Sequence, residues 1–579
     1  MGSVSFLSRL VKRIETKEYR NAEAENGHQW LDNNDLRPVP IADRTFGWKS
    51  YFWFWLSANA TPASSYGVSA ALAAGLSVWE ALACQLGGQI MIATVFVFNG
   101  RAGAAYHIPY PTIARASFGI WRAYWPVVNR VVMTLVWTGV NAVQGGQCAY
   151  VMLHALFPSI ARIPDVFPDG ASALNSGGMI GFFLSWILTT SLLPIKIPNL
   201  RPYMYTKLGI FFLCSIFLLG WALAEAGGIG PVARQGSTVH GSTKSWTVAR
   251  YVFIYCANGA TYATNASDFL RYAKKLKDAF WPQLVGFPLS TFLVGIIGNL
   301  IVSSSVITFG ELIWNPIDFV DALLEKRYNS ATRAGIFFLA LGFLYASIIS
   351  SIFENSIPAG NDLAALWPRF ITIRRGFYIA AIISYAMCPW YILGSASSFV
   401  AWLASYQIFL SSITGVMLCH YLIVLRGYLK ISDMFTPAHS GLYYYCRGWN
   451  YRAYVAYLVG IVPNFYGFLG VFGVRVTQPA TRMYYFAYPM GLALSFGTYW
   501  ALNKLDPPIC SNMGQMFHEV GSEAEDAVIE SETVAVDMDV VLRTSKGGMV
   551  WMPVKKTLFL CSIVYLVPGH ANEMRWGSR

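Results

Sequence analysis

About twelve apolar runs, each roughly 17 to 27 residues long, dominate this sequence. A helix needs about 20 such residues to cross the hydrocarbon of a bilayer. Inside lipid, only a helix or a closed barrel satisfies its own backbone polar groups. These two facts constrain the chain to an all-α, multi-pass membrane protein. The runs centre on residues 51–74, 79–98, 127–153, 179–195, 205–223, 251–269, 282–303, 332–356, 377–393, 399–425, 454–472 and 485–502, here called spans one to twelve. Only 12% of residues are charged, against about 25% in ordinary soluble domains.

The charge that remains is placed by topology. Loops 100–130, 196–207, 271–277, 369–375 and 426–452 hold about 18 Lys and Arg, and the opposite loops about 9. An even number of spans with that bias puts both termini in the cytoplasm. The net charge of +12 therefore points to the lipid bilayer as partner and not to nucleic acid. Nine cysteines show no paired metal spacing and read as small core hydrophobes. No phosphate loop, nucleophile elbow or histidine pair at metal spacing is visible, so no enzyme, cofactor or metal centre is expected.

Two spans carry polar residues at mid-membrane depth. Span one reads FWLSANATPASSYGV, with Asn59, Thr61, Pro62, Ser64 and Ser65; span six reads YCANGATYATNASDF, with Asn258, Gly259 and Asn265. Broken helices are tolerated in lipid where they line a cavity. A matched pair five spans apart points to an inverted-repeat transporter with a midplane site. The competing reading makes Pro62 and Gly259 plain kinks.

Spans three and eight complete the polar set. Trp137 and Asn141 stand four apart, hence on one helical face, where an indole can stack a planar ring and an amide can read its edge. Gln144 and Gln147 follow, with interhelical hydrogen bonding as their plainer role. In span eight, IISSIFENSIPAGND places Glu354 beside Asn355, after Ser350 and Ser351. A central acid costs about 3 kcal/mol to insert, and burial favours its neutral form. Glu354 is thus a candidate proton carrier, or a structural acid kept neutral. Neighbouring helical residues point about 100° apart, so Glu354 and Asn355 are expected to face different surroundings.

Several long motifs, in order, resemble the nucleobase–cation–symport-1 family, in particular its fungal uracil, allantoin and uridine permeases: NNDLRPVPIADRTFGW, YHIPYPTIARASFG, NASDFLRYAKK, WPQLVGFPL, IVSSSVITFGELIWNP, IPAGNDLAALWPRFITIRRG and SYQIFLSSITGVM. The resemblance implies a LeuT-type fold of two inverted five-helix repeats, 50–225 and 250–425, followed by two trailing helices in 453–502. Tails 1–49 and 503–579 would be cytoplasmic. It implies a substrate-binding set of Trp137, Asn141, Asn258, Gly259 and Asn355, and a coupling set of Glu354, Ser350, Ser351 and Asn59. Gly259 falls where relatives carry an aromatic, which would open room for a bulkier substrate. Ile349 replaces a hydroxyl at the sodium site of sodium-driven relatives.

The implied activity is proton-coupled symport at the plasma membrane of a nucleobase, nucleoside or related heterocycle, with sodium as the other candidate ion. The alternatives are a thiamine- or nicotinamide-riboside-like vitamin transporter, and a nutrient receptor on the same scaffold. The tails, with Lys12 and Lys17, are expected contacts for ubiquitin ligases and endocytic machinery. The acidic stretch 519–539 and the apolar stretch 557–568, too short to span, carry no further assignment.

Overall fold

The structure, a computed structural model, describes residues 15–16, 31, 36–167, 172–195, 201–436 and 438–513. Lys12, Lys17 and both C-terminal stretches lie outside them. Each of the twelve apolar runs is helical. Among the described residues, six helices are long and apolar enough to cross a membrane by length and composition alone, including Val78–Tyr106, Pro202–Glu225 and Ser330–Leu366. Span three, Tyr124–Leu156, runs 33 residues. Its polar content reflects burial among other helices.

Span one breaks where the sequence predicts. Helix Trp48–Asn59 stops, and Pro62–Ala73 restarts with Pro62 in its first turn. Proline suits a helix start because its missing N–H would be unpaired there anyway. Thr61 accepts from the Ala63 amide and caps the second half. Span six breaks twice. Gly241–Asn258, Ala260–Thr264 and Ala266–Leu270 are separated at Gly259 and Asn265. Carbonyls freed there find partners from span two: Asn99 Nδ2 donates to Ala263 at 2.7 Å and to Thr264 at 2.9 Å.

Span eight contains a device the sequence reading did not anticipate. Ser330–Ser350 passes into a π-helical turn, Ser351–Ser356, before Ile357–Leu366. Pro358 explains it. It cannot donate to the Glu354 carbonyl four residues back, and its ring crowds that carbonyl, so the helix widens. The same arrangement recurs where the π turn Pro282–Gly286 precedes Pro288.

Two expectations need correction. Span nine is shorter than predicted: Ile373–Ala386 ends before Cys388, whose φ of 51° breaks the helix ahead of Pro389. Span ten is broken between Ala396–Ser405 and Gln407–Cys419. The Gly-, Ser- and Thr-rich stretch 224–250 is pinned: Thr238 N donates to Gly75 O at 2.9 Å, and Glu80 pairs with Lys244.

Spans three and four approach through glycine. A Cβ on Gly146 would lie 2.6 Å from the Phe182 backbone, the close contact that small residues permit between membrane helices. Among the connecting helices outside the spans, two are well packed. Tyr110–Phe118 is wholly buried. The amphipathic Pro316–Lys326 buries Ile317, Phe319, Val320, Leu323 and Leu324.

Candidate functional site

The breaks in spans one and six face spans three and eight across one cavity. Its lining includes Asn59, Trp137, Asn141, Asn258, Glu354 and Asn355. Six of the nine residues singled out from the sequence therefore meet at one place. Gly259, Ser350 and Ser351 do not line it.

The reason at Gly259 is steric. A Cβ there would sit 2.9 Å from the Ile92 side chain and 3.4 Å from Phe287, so the glycine is a packing position and opens no extra room. Aromatic walls come from elsewhere: Tyr262, Phe269 and Phe287 line the cavity with Trp137. The Trp137 ring is held edge-on by Trp402, centroids 5.0 Å apart. Ser350 and Ser351 are buried within the helix body.

Two amide atoms of the cavity lining stand unpaired. Among the described residues, Asn141 Oδ1 and Asn355 Nδ2, both buried, find no hydrogen-bond partner. A buried, unpaired polar atom costs about 1–3 kcal/mol. Here one acceptor and one donor stand beside an indole, the complement of a ring amide with its own N–H and C=O. Asn59 is already engaged, donating to Ser290 Oγ at 2.9 Å and to Trp55 O at 3.1 Å. It fixes the end of the first half of span one.

Glu354 has a partner that sequence reasoning missed. Lys207, in span five, is buried. Its Nζ donates to the Ser57 carbonyl at 2.6 Å and to Glu354 Oε1 at 3.1 Å. Tyr262 donates to Glu354 Oε2 at 3.4 Å. One ammonium thus joins the unwound end of span one to span eight. Both Glu354 and Asn355 line the cavity, and Glu354 in addition pairs with span five through Lys207. The missed signal was a lysine two residues inside an apolar run, Tyr205 to Leu223, which the loop count absorbed.

A second buried charge cluster borders the cavity near the start of span three. Arg130 pairs with Asp268 of span six at 2.9 Å and with Asp362 of span eight at 2.7 Å. Asp268 also accepts from the Tyr110 amide at 2.8 Å. All three charged residues are buried.

Comparison with known proteins places this geometry. The profile of permeases for cytosine and purines, uracil, thiamine and allantoin matches residues 38–491. The uridine permease of Saccharomyces cerevisiae is 35% identical over 522 residues, covering 86% of this chain and 81% of that one. The allantoin permease of the same yeast is 34% identical over 482 residues, covering 82% and 75%. Among solved structures, the nucleobase-cation-symport-1 transporter Mhp1, closed with bromovinylhydantoin bound, superposes with a TM-score of 0.66 at 19% identity, covering 83% of this chain and 98% of that one.

Proposed function

Because the chain belongs to the nucleobase–cation–symport-1 permeases, multi-pass transporters of nucleobase-, nucleoside- and allantoin-type heterocycles and not enzymes, we propose that it imports a uracil-, allantoin- or uridine-class substrate by proton symport at the plasma membrane. The two inverted repeats would alternate access by rocking about the cavity, with both termini on the cytoplasmic side. One observation carries the substrate reading. The unpaired Asn141 Oδ1 and Asn355 Nδ2 face the same cavity as Trp137. A planar ring stacked on the indole would complete both amides at once and relieve the desolvation cost of each.

The coupling reading rests on Lys207. A fixed ammonium already lies between the Ser57 carbonyl and Glu354, in the interval between spans one and eight where sodium-driven relatives are expected to hold their ion. With that interval filled, a proton is the coupling ion. Protonation of Glu354 would release its tie to Lys207, while Lys207 would keep the Ser57 carbonyl. The two spans would then move independently once substrate occupies the cavity. A vitamin cation is disfavoured, since Glu354 is neutralised by Lys207 and offers no free charge to it.

The test is uptake in cells lacking their own pyrimidine, purine and vitamin permeases. Uracil, uridine, allantoin, uric acid, thiamine and nicotinamide riboside are supplied at about pH 5 and about pH 7.5, with and without sodium. Accumulation of one uracil-, uridine- or allantoin-type compound, stimulated by acid and indifferent to sodium, is expected. Accumulation of thiamine alone, or dependence on sodium, overturns the reading. Binding without accumulation would identify a receptor instead.

A further inference from the structure

Span three ends at Leu156, about 20 Å along its axis beyond Asn141, and its last turn carries His154. That imidazole is buried between the rings of Tyr150 and Tyr328, with centroids 5.8 and 5.7 Å away. Its Nδ1 lies 2.7 Å from Asp321 Oδ1. Asp321 and Glu325 stand four apart on the connecting helix Pro316–Lys326, and so share one face. Ligand atoms of His154, Asp321 and Glu325 all fall within 4.8 Å of one another.

We propose that these three residues form a binding site for a divalent transition-metal ion, separate from the substrate cavity. The donor set of one imidazole and two carboxylates suits zinc, which takes nitrogen at about 2.0–2.1 Å and carboxylate oxygen at about 2.0–2.2 Å, with a fourth position left for water. The surroundings favour a preformed site. Arg333 donates to the Ala155 and Leu156 carbonyls at 2.8 and 2.9 Å, and Tyr328 to the His154 carbonyl at 2.7 Å, so the turn bearing the histidine is fixed. A hollow lined by Gln147, Tyr150, Asp318, Asp321 and Glu325 adjoins it and gives the ion's water ligand a place. On binding, the ion replaces the proton between Nδ1 and Asp321, and the neutral ring carries its hydrogen on Nε2 instead.

Occupation would have a mechanical consequence. Ser69, in the second half of span one, donates to Trp314 O at 2.6 Å, just ahead of the connecting helix. An ion at His154 would brace that helix against span three, which carries Trp137 and Asn141.

The experiment is titration of the purified full-length protein with Zn2+ by calorimetry, and with Co2+ by its visible absorption, in a buffer free of chelators. One ion per chain is expected, with a Co2+ spectrum of low coordination number. His154→Gln and Glu325→Gln should each weaken binding about tenfold or more. Glu325 is exposed, so its variant tests the site without threatening the fold. No saturable Zn2+ binding overturns the proposal. So does unchanged affinity in Glu325→Gln or in folded His154→Gln. So does equal competition by Ca2+, which selects oxygen ligands and would mark a mere patch of carboxylates.

Discussion

Two buried charge clusters border the same cavity and are built differently. At one end, a guanidinium serves two carboxylates, Asp268 and Asp362. At the other, an ammonium serves one carboxylate, Glu354, and one carbonyl, Ser57. Arginine is a planar fork that bonds several partners in fixed directions; lysine is a compact point charge on a flexible stem, which can let go of one partner while keeping another. The Arg130 cluster therefore suits a latch that holds spans three, six and eight together. The Lys207 pair suits a switch. On the proposed reading, what separates the two clusters is the chemistry of the cation and the charge of its partners: two carboxylates for Arg130, one carboxylate and one neutral carbonyl for Lys207.

The contrast can be broken first at Arg130. Arg130→Ala leaves two buried carboxylates without a countercharge, a loss of about 3–5 kcal/mol, and is expected to abolish a monodisperse peak in detergent size-exclusion chromatography. Arg130→Lys should recover it only in part, because a point charge cannot reproduce the fork. Lys207→Met is expected to yield folded protein at the membrane without concentrative uptake. A double variant, Lys207→Met with Glu354→Leu, sharpens the point: it should restore melting temperature towards the parent while accumulation stays lost. Accumulation by the double variant would reduce the pair to a structural role.

Smaller effects follow in the proposed substrate site. Asn141→Ala and Asn355→Ala should each raise KM about tenfold or more, equal to about 1.4 kcal/mol or more, with melting temperature held, since neither removes a partnered group.

How much of this was legible follows from which residues signal locally. The breaks at Pro62 and Gly259 were legible because proline and glycine interrupt helices by their own covalent structure. Trp137 and Asn141 were legible from their spacing of four, and Asn355 from its position in a recognisable motif. Lys207 was not, because its meaning depends on Ser57 and Glu354, 150 and 147 residues distant in sequence. The Arg130 cluster was missed for the same reason. Gly259 misled because sequence gives a residue's size but not which side of the helix Ile92 and Phe287 fill. The π turn in span eight was readable in principle from Pro358, yet proline more often produces a simple kink.

That turn also bears on how this chain is set beside its relatives. Closing a ring from residue i to i+5 accommodates one more residue than an ordinary helical turn does, so Ser351–Ser356 behaves locally as a one-residue insertion that no gap in an ungapped alignment would reveal. Residues ahead of it, such as Ile349 and Ser350, and residues within and after it, such as Asn355 and Asp362, then need not keep the same offset to a relative whose eighth helix is regular. Equivalences on the two sides are to be taken from superposed backbones separately, and an ancestral gain or loss of a single codon here would rotate everything downstream by about 100° while leaving the hydropathy of the span untouched.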